Sequence, residues 1–371
     1  MGTIPKKMKA LVAYAPGDYR FEMVDTPRAE GDDVIIKVEG CGVCAGDIKA
    51  YHGAPSFWGG DGSPPYIKAP MIPGHEFCGF VVEVGPDQKD FSIGDHVVSE
   101  QIVPCWECKF CKTGRYWMCQ KHDLYGFQNN VNGGMAEYMR FPHESLKYKI
   151  PKDMPLEQAL LIEPYGCSKH CVDRARITNE DVVVLSGAGT LGLGMIGAIR
   201  KRNPDKLIVL DLNDKRLEKA KEFGADIVMN PSKEDVVKKI TDMTEGYGCD
   251  IYIEATGHPA SVQQGLEMIR KLGRFVEFSV FSQPTTADWS IISDRKELDL
   301  LGAHLSPYCY EPVIKWVCDG SLPTEGVVSH KFSLEDWETA FEYAATGKDD
   351  CIKAAIVPSM LGKCSAARFA C

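Results

Sequence analysis

The sequence predicts an α/β protein that joins a β-rich domain to a doubly wound parallel sheet, and three observations carry that expectation. Up to about residue 162, short β-type segments alternate with Gly, Pro and Asp turns. From 181 to about 303, six apolar strands alternate with helical stretches, and a glycine cluster closes the first of them. The chain has 371 residues, enough for two domains of ordinary size, and 44% hydrophobic with 25% charged residues describes a soluble globular protein.

In the first texture, segments 9–14, 34–38 and 80–84 read as strands of a twisted β domain. In the second, strands are expected at 182–186, 207–211, 227–229, 251–255, 274–279 and 298–301, with a helix over 193–200, and such alternation means a doubly wound sheet. Beyond 303 come an amphipathic stretch near 313–317, a helix candidate at 336–345 and a last strand at 353–357, too little for a separate domain. That tail is expected to pack back onto the first domain, giving boundaries of 1–163, 164–303 and 304–371. Residues 361–371 read as a frayed end or an appended remnant.

Composition narrows the partners. The net charge of −10 is spread over mixed-sign sequence with no basic block, which argues against nucleic acid or an anionic membrane. No run approaches the ~18 apolar residues of a membrane span. The first seven residues lack an apolar signal core, and Lys6 stands where a myristoylation motif wants a hydroxyl. Fifteen cysteines without secretory features imply a reducing compartment, so a cytoplasmic enzyme is expected.

Cys105, Cys108, Cys111 and Cys119 fall in one lobe, about residues 100–122, spaced C-x2-C-x2-C-x7-C. Four thiolates so close make a closed tetrahedral cage, and a structural zinc is expected there; a disulfide cluster or four unrelated thiols is the alternative. A closed cage does no chemistry. It pins a loop through Trp106, Lys109, Gly114 and Trp117 that has little hydrophobic content of its own.

The strand 182–186 runs into Gly187-Ala188-Gly189-Thr190-Leu191-Gly192 and then a helix, and Asp211 ends the next strand 19 residues after the last glycine. In this context the glycines form a Rossmann dinucleotide fingerprint. Gly187 allows the turn, Gly189 lets backbone approach a pyrophosphate and Gly192 permits close packing, with Thr190 and Leu191 between them, while the N-terminus of the following helix faces the negative charge. Asp211 would accept from the ribose hydroxyls and repel a 2′-phosphate, which favours NAD over NADP. Lys215 and Arg216 lie just beyond and offer a phosphate partner instead.

Cys44 and Asp47 follow a predicted strand, His75 and Glu76 precede another, and Glu163 stands before Pro164 at the domain junction. Each has a bland account as a core thiol, a turn residue or a solvated carboxylate. Together, beside a dinucleotide fold and a cysteine cage, they resemble an open zinc site with a position left for substrate.

Over essentially its full length the chain resembles the zinc-dependent medium-chain dehydrogenases, the alcohol and polyol dehydrogenase family. The residues that carry this are Gly42, Cys44 and Asp47, Gly74-His75-Glu76, Gly94-Asp95-His96-Val97, the four-cysteine lobe, Gly133 to Tyr138 and the glycine fingerprint. The resemblance implies a GroES-like catalytic domain split in sequence around a Rossmann domain, with the active site in the cleft between them. It places Cys44, His75 and Glu163 at the catalytic zinc, with Glu76 a neighbouring carboxylate that ligates or exchanges with water, and Asp47 supporting a ligand from behind. Two zinc ions per subunit and NAD are the implied cofactors. Glu163 in place of a second cysteine resembles the polyol and threonine branches, and an oxygen-rich site suits a hydroxylated substrate.

The family's usual proton relay is absent: Gly46 replaces its hydroxyl residue and Lys49 its histidine. The substrate proton is therefore expected to leave through Glu76 or Glu163, helped by Tyr51 or His52. Phe57 and Trp58 form either a pocket wall or a loop anchor, and Tyr125, Phe127 and Gln128 are similar candidates. Residues 44–58 most resemble the branch acting on four-carbon polyols, which implies oxidation of a secondary hydroxyl of erythritol or L-threitol to the ketose by a homotetramer. L-Threonine, a sugar or cyclitol, or a simple alcohol are alternatives, and a non-catalytic nucleotide-binding relative is the alternative from another class.

Overall fold

The computed structural model describes residues 4–60, 62, 64–281 and 284–362. Residues 363–371, most of the expected frayed end, lie outside them, as do Asp61 and Ser63 of the Gly/Pro loop. The chain divides into two compact units, one holding Met1–Glu163, Tyr310–Ile314 and the chain from Thr324 onward, the other Pro164–Cys309 and Lys315–Pro323. The return to the first unit is thus later and more broken than the expected boundary at 303. The reason lies in local contacts: Tyr165 donates its hydroxyl to the Pro323 carbonyl at 2.9 Å, and Lys201 reaches Ser321 Oγ at 2.7 Å, which ties 315–323 to the second unit.

In the first unit a seven-stranded sheet runs Val328–Phe332, Lys353–Ile356, Val34–Gly42, Glu76–Val84, His96–Ser99 and Lys147–Ile150, with Tyr138–Phe141 also paired to Val34–Gly42. Val34–Gly42 is central because Val34, Ile35, Ile36 and Cys41 are fully buried, so both faces need cover. It pairs antiparallel with Glu76–Val84 so that Gly42 faces Glu76, while Lys353–Ile356 sets Ala355 opposite Gly42. Three strand ends therefore meet at one point. A shift of register between Val38 and Gly40 makes Glu39 the extra residue of a bulge.

In the second unit six strands are all parallel, in the order Ile227–Met229, Lys206–Leu210, Val182–Ser186, Cys249–Glu254, Ile269–Glu277 and Asp299–Gly302. In chain order that is 3-2-1-4-5-6, the doubly wound arrangement, and it reverses direction between Val182–Ser186 and Cys249–Glu254. One face buries Val184, Ile208, Leu210, Tyr252, Leu266 and Phe275 in a single cluster. Expected strand positions hold to within a few residues, the widest miss being Ile269–Glu277, which starts five residues before the expected 274. The helix after the fingerprint, Thr190–Arg200, starts earlier than the expected 193 because Gly189, extended at φ −73° and ψ −168°, already caps it.

Two glycines of the fingerprint are sterically obligatory. Gly187 has φ +107°, and a Cβ there would also meet the Ala255 carbonyl oxygen at 2.8 Å. A Cβ on Gly192 would sit 2.0 Å from the Gly187 carbonyl oxygen, which is backbone and cannot swing away. Gly192→Ala is expected to destabilise by about 1–3 kcal/mol through overpacking, seen as a lower urea midpoint; an unchanged midpoint would show that the turn relaxes freely.

Candidate active site and cysteine cage

Cys44, His75 and Glu76 come together at the three meeting strand ends, each offering a donor atom within 4.8 Å of the others. Cys44 caps the helix Ala45–Tyr51 and donates its backbone N–H to Asp47 Oδ2 at 2.9 Å, so the helix start itself fixes where Asp47 points. Asp47 is 1% exposed, and its other oxygen lies 3.6 Å from His75 Nδ1. At that distance neither buried atom has a hydrogen-bond partner. A proton on Nδ1 would face Asp47 and leave Nε2 as the metal-binding nitrogen, the arrangement in which a carboxylate supports a ligating histidine.

Glu76 is 2% exposed, and both its oxygens accept from Lys353 Nζ, at 2.7 and 2.5 Å, while the same ammonium reaches the Val43 carbonyl at 3.3 Å. The carboxylate lies over Gly42, where a Cβ would come within 2.2 Å of Glu76 Oε2. Burial works against the charge on Lys353, but Glu76, Cys44 and Glu163 outweigh it and raise its pKa. Burial likewise opposes a charged His75, yet Asp47 and Cys44 hold the imidazole well above its ordinary range. The site is therefore an electronegative pocket, and its field suits a divalent cation. Its sulfur, nitrogen and oxygen donors fit zinc.

Of the two carboxylates expected at the site, one lies in the compact trio. Glu76, which follows His75 directly, joins the trio; Glu163, 7% exposed in the first turn of the helix Ile162–Ala175, stands outside that group and contributes field at Lys353. The Tyr51 ring packs edge-on against Tyr19, Trp337 and Phe341 at 5.1, 5.7 and 5.8 Å, and against His52 at 5.2 Å, in an aromatic nest.

Phe57 stacks on Phe127 at 5.3 Å, and Phe127 lies 5.3 Å from the His75 ring, so these two phenyls wall the trio. Trp58 is an anchor, donating Nε1–H to the Ala50 carbonyl at 2.6 Å. Tyr125 is fully buried against Phe77 and Phe141, and Gln128 is spent on the Tyr66 carbonyl, so both belong to the core. A Cβ on Gly46 would lie 3.8 Å from Cys44 Sγ, 3.9 Å from His75 Cε1 and 4.0 Å from Phe57 Cζ. The missing side chain leaves free space directly beside two donors. Sequence reasoning missed Lys353, whose signal was a lone cation heading the apolar run 353–357.

Cys105, Cys108, Cys111 and Cys119 also lie within 4.8 Å of one another as free thiols, which removes the disulfide alternative. The backbone amide of Gln120 donates to Cys108 Sγ at 3.4 Å, and that of Cys105 to Cys119 Sγ at 3.3 Å. The amides of Gln120 and Cys111 pull the Cys108 thiol down to about 6, so it ionises readily. Four such sulfurs fit a structural zinc. Trp106 and Tyr116 moor the lobe through the Glu144 carbonyl and the Glu100 carboxylate, at 2.8 and 2.9 Å.

In the second unit, Asp211 accepts from the Ala188 amide at 2.7 Å and the Asn213 amide at 2.8 Å, which ties the fingerprint turn to the end of the next strand. Leu191 accepts from Ser168 Oγ at 2.7 Å, and Thr190 opens the helix. Above Gly189 a Cβ would meet only Arg216 Nη1, at 4.0 Å, so the loop backbone is uncovered there. Arg216 Nε is buried without a hydrogen-bond partner. An open backbone turn at a helix N-terminus, with a carboxylate and a guanidinium beside it, fits a dinucleotide. Glu254 and Glu277 face each other in register at the ends of adjacent strands, and burial with the Glu254 charge pushes Glu277 up to about 8.

Comparison with known proteins follows this geometry. A family model described as alcohol dehydrogenase GroES-like domain matches residues 30–152, and one described as zinc-binding dehydrogenase matches 190–319. The chain is 47% identical over 359 residues to the erythritol/L-threitol dehydrogenase of Mycolicibacterium smegmatis, covering 96% of this chain and 99% of that protein. It is 34% identical to the L-threonine 3-dehydrogenase of Pyrococcus horikoshii, covering 92% and 97%. Among solved structures, a zinc-binding dehydrogenase from Sinorhizobium meliloti 1021 bound to NADP superposes with a TM-score of 0.86 at 26% identity, covering 95% and 100%.

Lys353→Met leaves the buried Glu76 charge uncompensated and is expected to cost about 3–5 kcal/mol in urea unfolding, with much of the loss recovered by adding Glu76→Gln. A loss below 1 kcal/mol would show that the pair is not buried in solution. Glu277 holds its proton up to about 8 against an ordinary 4.5, so the stability it contributes is full below 4.5 and is lost as pH rises through 8. Glu277→Gln is expected to remove that decline from the pH profile of the urea midpoint; a parallel profile would contradict the assignment.

Proposed function

The chain belongs to the zinc-dependent medium-chain dehydrogenase family and is an oxidoreductase of hydroxyl groups, and on that premise we propose that it oxidises a secondary hydroxyl of erythritol or L-threitol to the ketose with NAD as acceptor. The observation that carries the substrate class is 47% identity to an erythritol/L-threitol dehydrogenase over nearly the whole of both chains. The space beside Cys44 and His75 left by Gly46 supports it, because a small polyol needs room for a second hydroxyl next to the reacting one. L-Threonine is the second reading, favoured by 34% identity to an L-threonine 3-dehydrogenase.

When bound, zinc supplies Lewis acidity toward a hydroxyl oxygen and the dinucleotide supplies a hydride acceptor. Cys44, His75 and Glu76 would hold the ion, Asp47 would face a proton on His75 Nδ1, and Lys353 balances the charge on Glu76. Phe57 and Phe127 keep one side of the site apolar, which excludes water from the reacting carbon. The hydroxyl proton passes to a carboxylate of the site, Glu76 or Glu163. Gly187, Gly189, Thr190, Leu191 and Gly192 would cradle the pyrophosphate, Asp211 would take the ribose hydroxyls and so favour NAD over NADP, and Arg216 would flank them. The four-cysteine cage would hold the second zinc.

The same reading gives a cytoplasmic homotetramer. Among the described residues no helix is long and apolar enough to cross a membrane, and Leu272 and Leu300 lie 63% and 45% exposed on neighbouring strands of the second unit, which suits burial by another copy.

Initial rates of NADH formation with erythritol, L-threitol, D-threitol, xylitol, sorbitol, threonine and ethanol test the proposal. Erythritol or L-threitol is expected to lead threonine and ethanol by at least about tenfold in kcat/KM, and NAD to lead NADP. Threonine or ethanol leading instead would keep the reaction class and discard the polyol.

A further inference from the structure

The sheet of the first unit assembles another mixed cluster that neither the cysteine cage nor the Cys44 trio uses. Glu39, Cys78 and His96 offer carboxylate, thiol and imidazole atoms that all lie within 4.8 Å of one another. They come from three adjacent strands, Val34–Gly42, Glu76–Val84 and His96–Ser99. Cys78 and Phe80 share a face of their strand, and His96 lies opposite Phe80 in register with its ring stacked on the phenyl at 4.3 Å. Glu39 reaches that face because it is the extra residue of the bulge between Val38 and Gly40.

Hydrogen bonding fixes the imidazole. His96 Nδ1 lies 3.0 Å from the Pro151 carbonyl, which can only accept, so Nδ1 carries a proton. In the neutral ring Nε2 then turns a lone pair toward Glu39 Oε2, 3.0 Å away, and the Cys78 thiol donates to the same oxygen at 3.7 Å through a proton that a bound metal would displace to solvent. Although the His96–Glu39 contact is at ion-pair distance, Nε2 is buried and meets no hydrogen-bond geometry. A lone pair and a carboxylate at that separation repel unless a cation lies between them, either a proton or a metal. Donor spacings of 3.0 and 3.7 Å are close to the roughly 3.3–3.6 Å that tetrahedral zinc imposes with bonds of about 2.0–2.3 Å. The Nδ1 bond to a backbone carbonyl is also the usual support of a ligating histidine.

We propose that Glu39, Cys78 and His96 form a further metal site for a zinc-class divalent ion, distinct from the Cys44 trio and the cysteine cage, with its remaining position open to solvent. The N, S and O donors select zinc over magnesium or calcium. Glu39, with a side chain 30% exposed, gives the ion its route in, while Cys78 and His96 are buried. The site does not depend on which alcohol the enzyme oxidises.

The test is zinc content per chain, by elemental analysis after dialysis of the full-length protein against a rising series of buffered free zinc. Wild type is expected to hold one more equivalent than Glu39→Gln and than Cys78→Ser, with affinity for that equivalent weakened at least about tenfold in each. Glu39→Gln is isosteric and on a partly exposed side chain, so it keeps the comparison intact even if Cys78→Ser disturbs the core. Equal zinc content in wild type and Glu39→Gln across the whole series would overturn the proposal and leave a proton as the bridging cation.

Discussion

A buried carboxylate whose two oxygens both rest on a buried ammonium is the constraint around which the first unit is arranged. Glu76 and Lys353 are 2% and 4% exposed, and removing two charges from water is repaid only when both are fully paired. Each heads a strand, and both strands pair with the end of Val34–Gly42. The bond therefore joins the last strand of the chain to the strands of its first hundred residues at the point where Cys44 and His75 emerge. Asp47 adds a further negative charge behind His75, so fold stability and metal affinity draw on one charge cluster. Lys353 balances only part of it, and the field left over suits a divalent cation.

The second unit rests on steric limits. Gly192 lies so close to the Gly187 carbonyl that a single methyl does not fit, and this closeness brings the helix Thr190–Arg200 up to the end of the first strand. Asp211 then clamps the turn by accepting from Ala188. The glycine turn and Asp211 are thus one hydrogen-bonded assembly, whose shape depends on backbone geometry more than on side-chain chemistry.

Much of this was legible in the residues, for identifiable reasons. Strand and helix order in the second unit followed from apolar periodicity, because strands covered on both faces carry unbroken Val, Ile and Leu runs. Cys105, Cys108, Cys111 and Cys119 were legible because close sequence spacing forces spatial proximity. Cys44 and His75, 31 positions apart in the chain, needed a family resemblance to be connected. What sequence could not supply was long-range pairing. Nothing local links Lys353 to Glu76, so the ion pair that holds this carboxylate was not legible. The aromatic packing of Tyr51 was not legible because its partners Tyr19, Trp337 and Phe341 lie far away in sequence. Glu39 was invisible as part of a cluster, since a bulge breaks the alternation from which a side chain's face is read.

The account stands on the identity of the carboxylate beside Cys44 and His75. Anomalous diffraction at the zinc absorption edge, from crystals of the zinc-loaded protein, measures that directly. It should place an ion bonded to Cys44 Sγ, His75 Nε2 and a Glu76 oxygen. An ion held instead by Cys44, His75 and Glu163, with Glu76 still bound by both oxygens to Lys353, would contradict it.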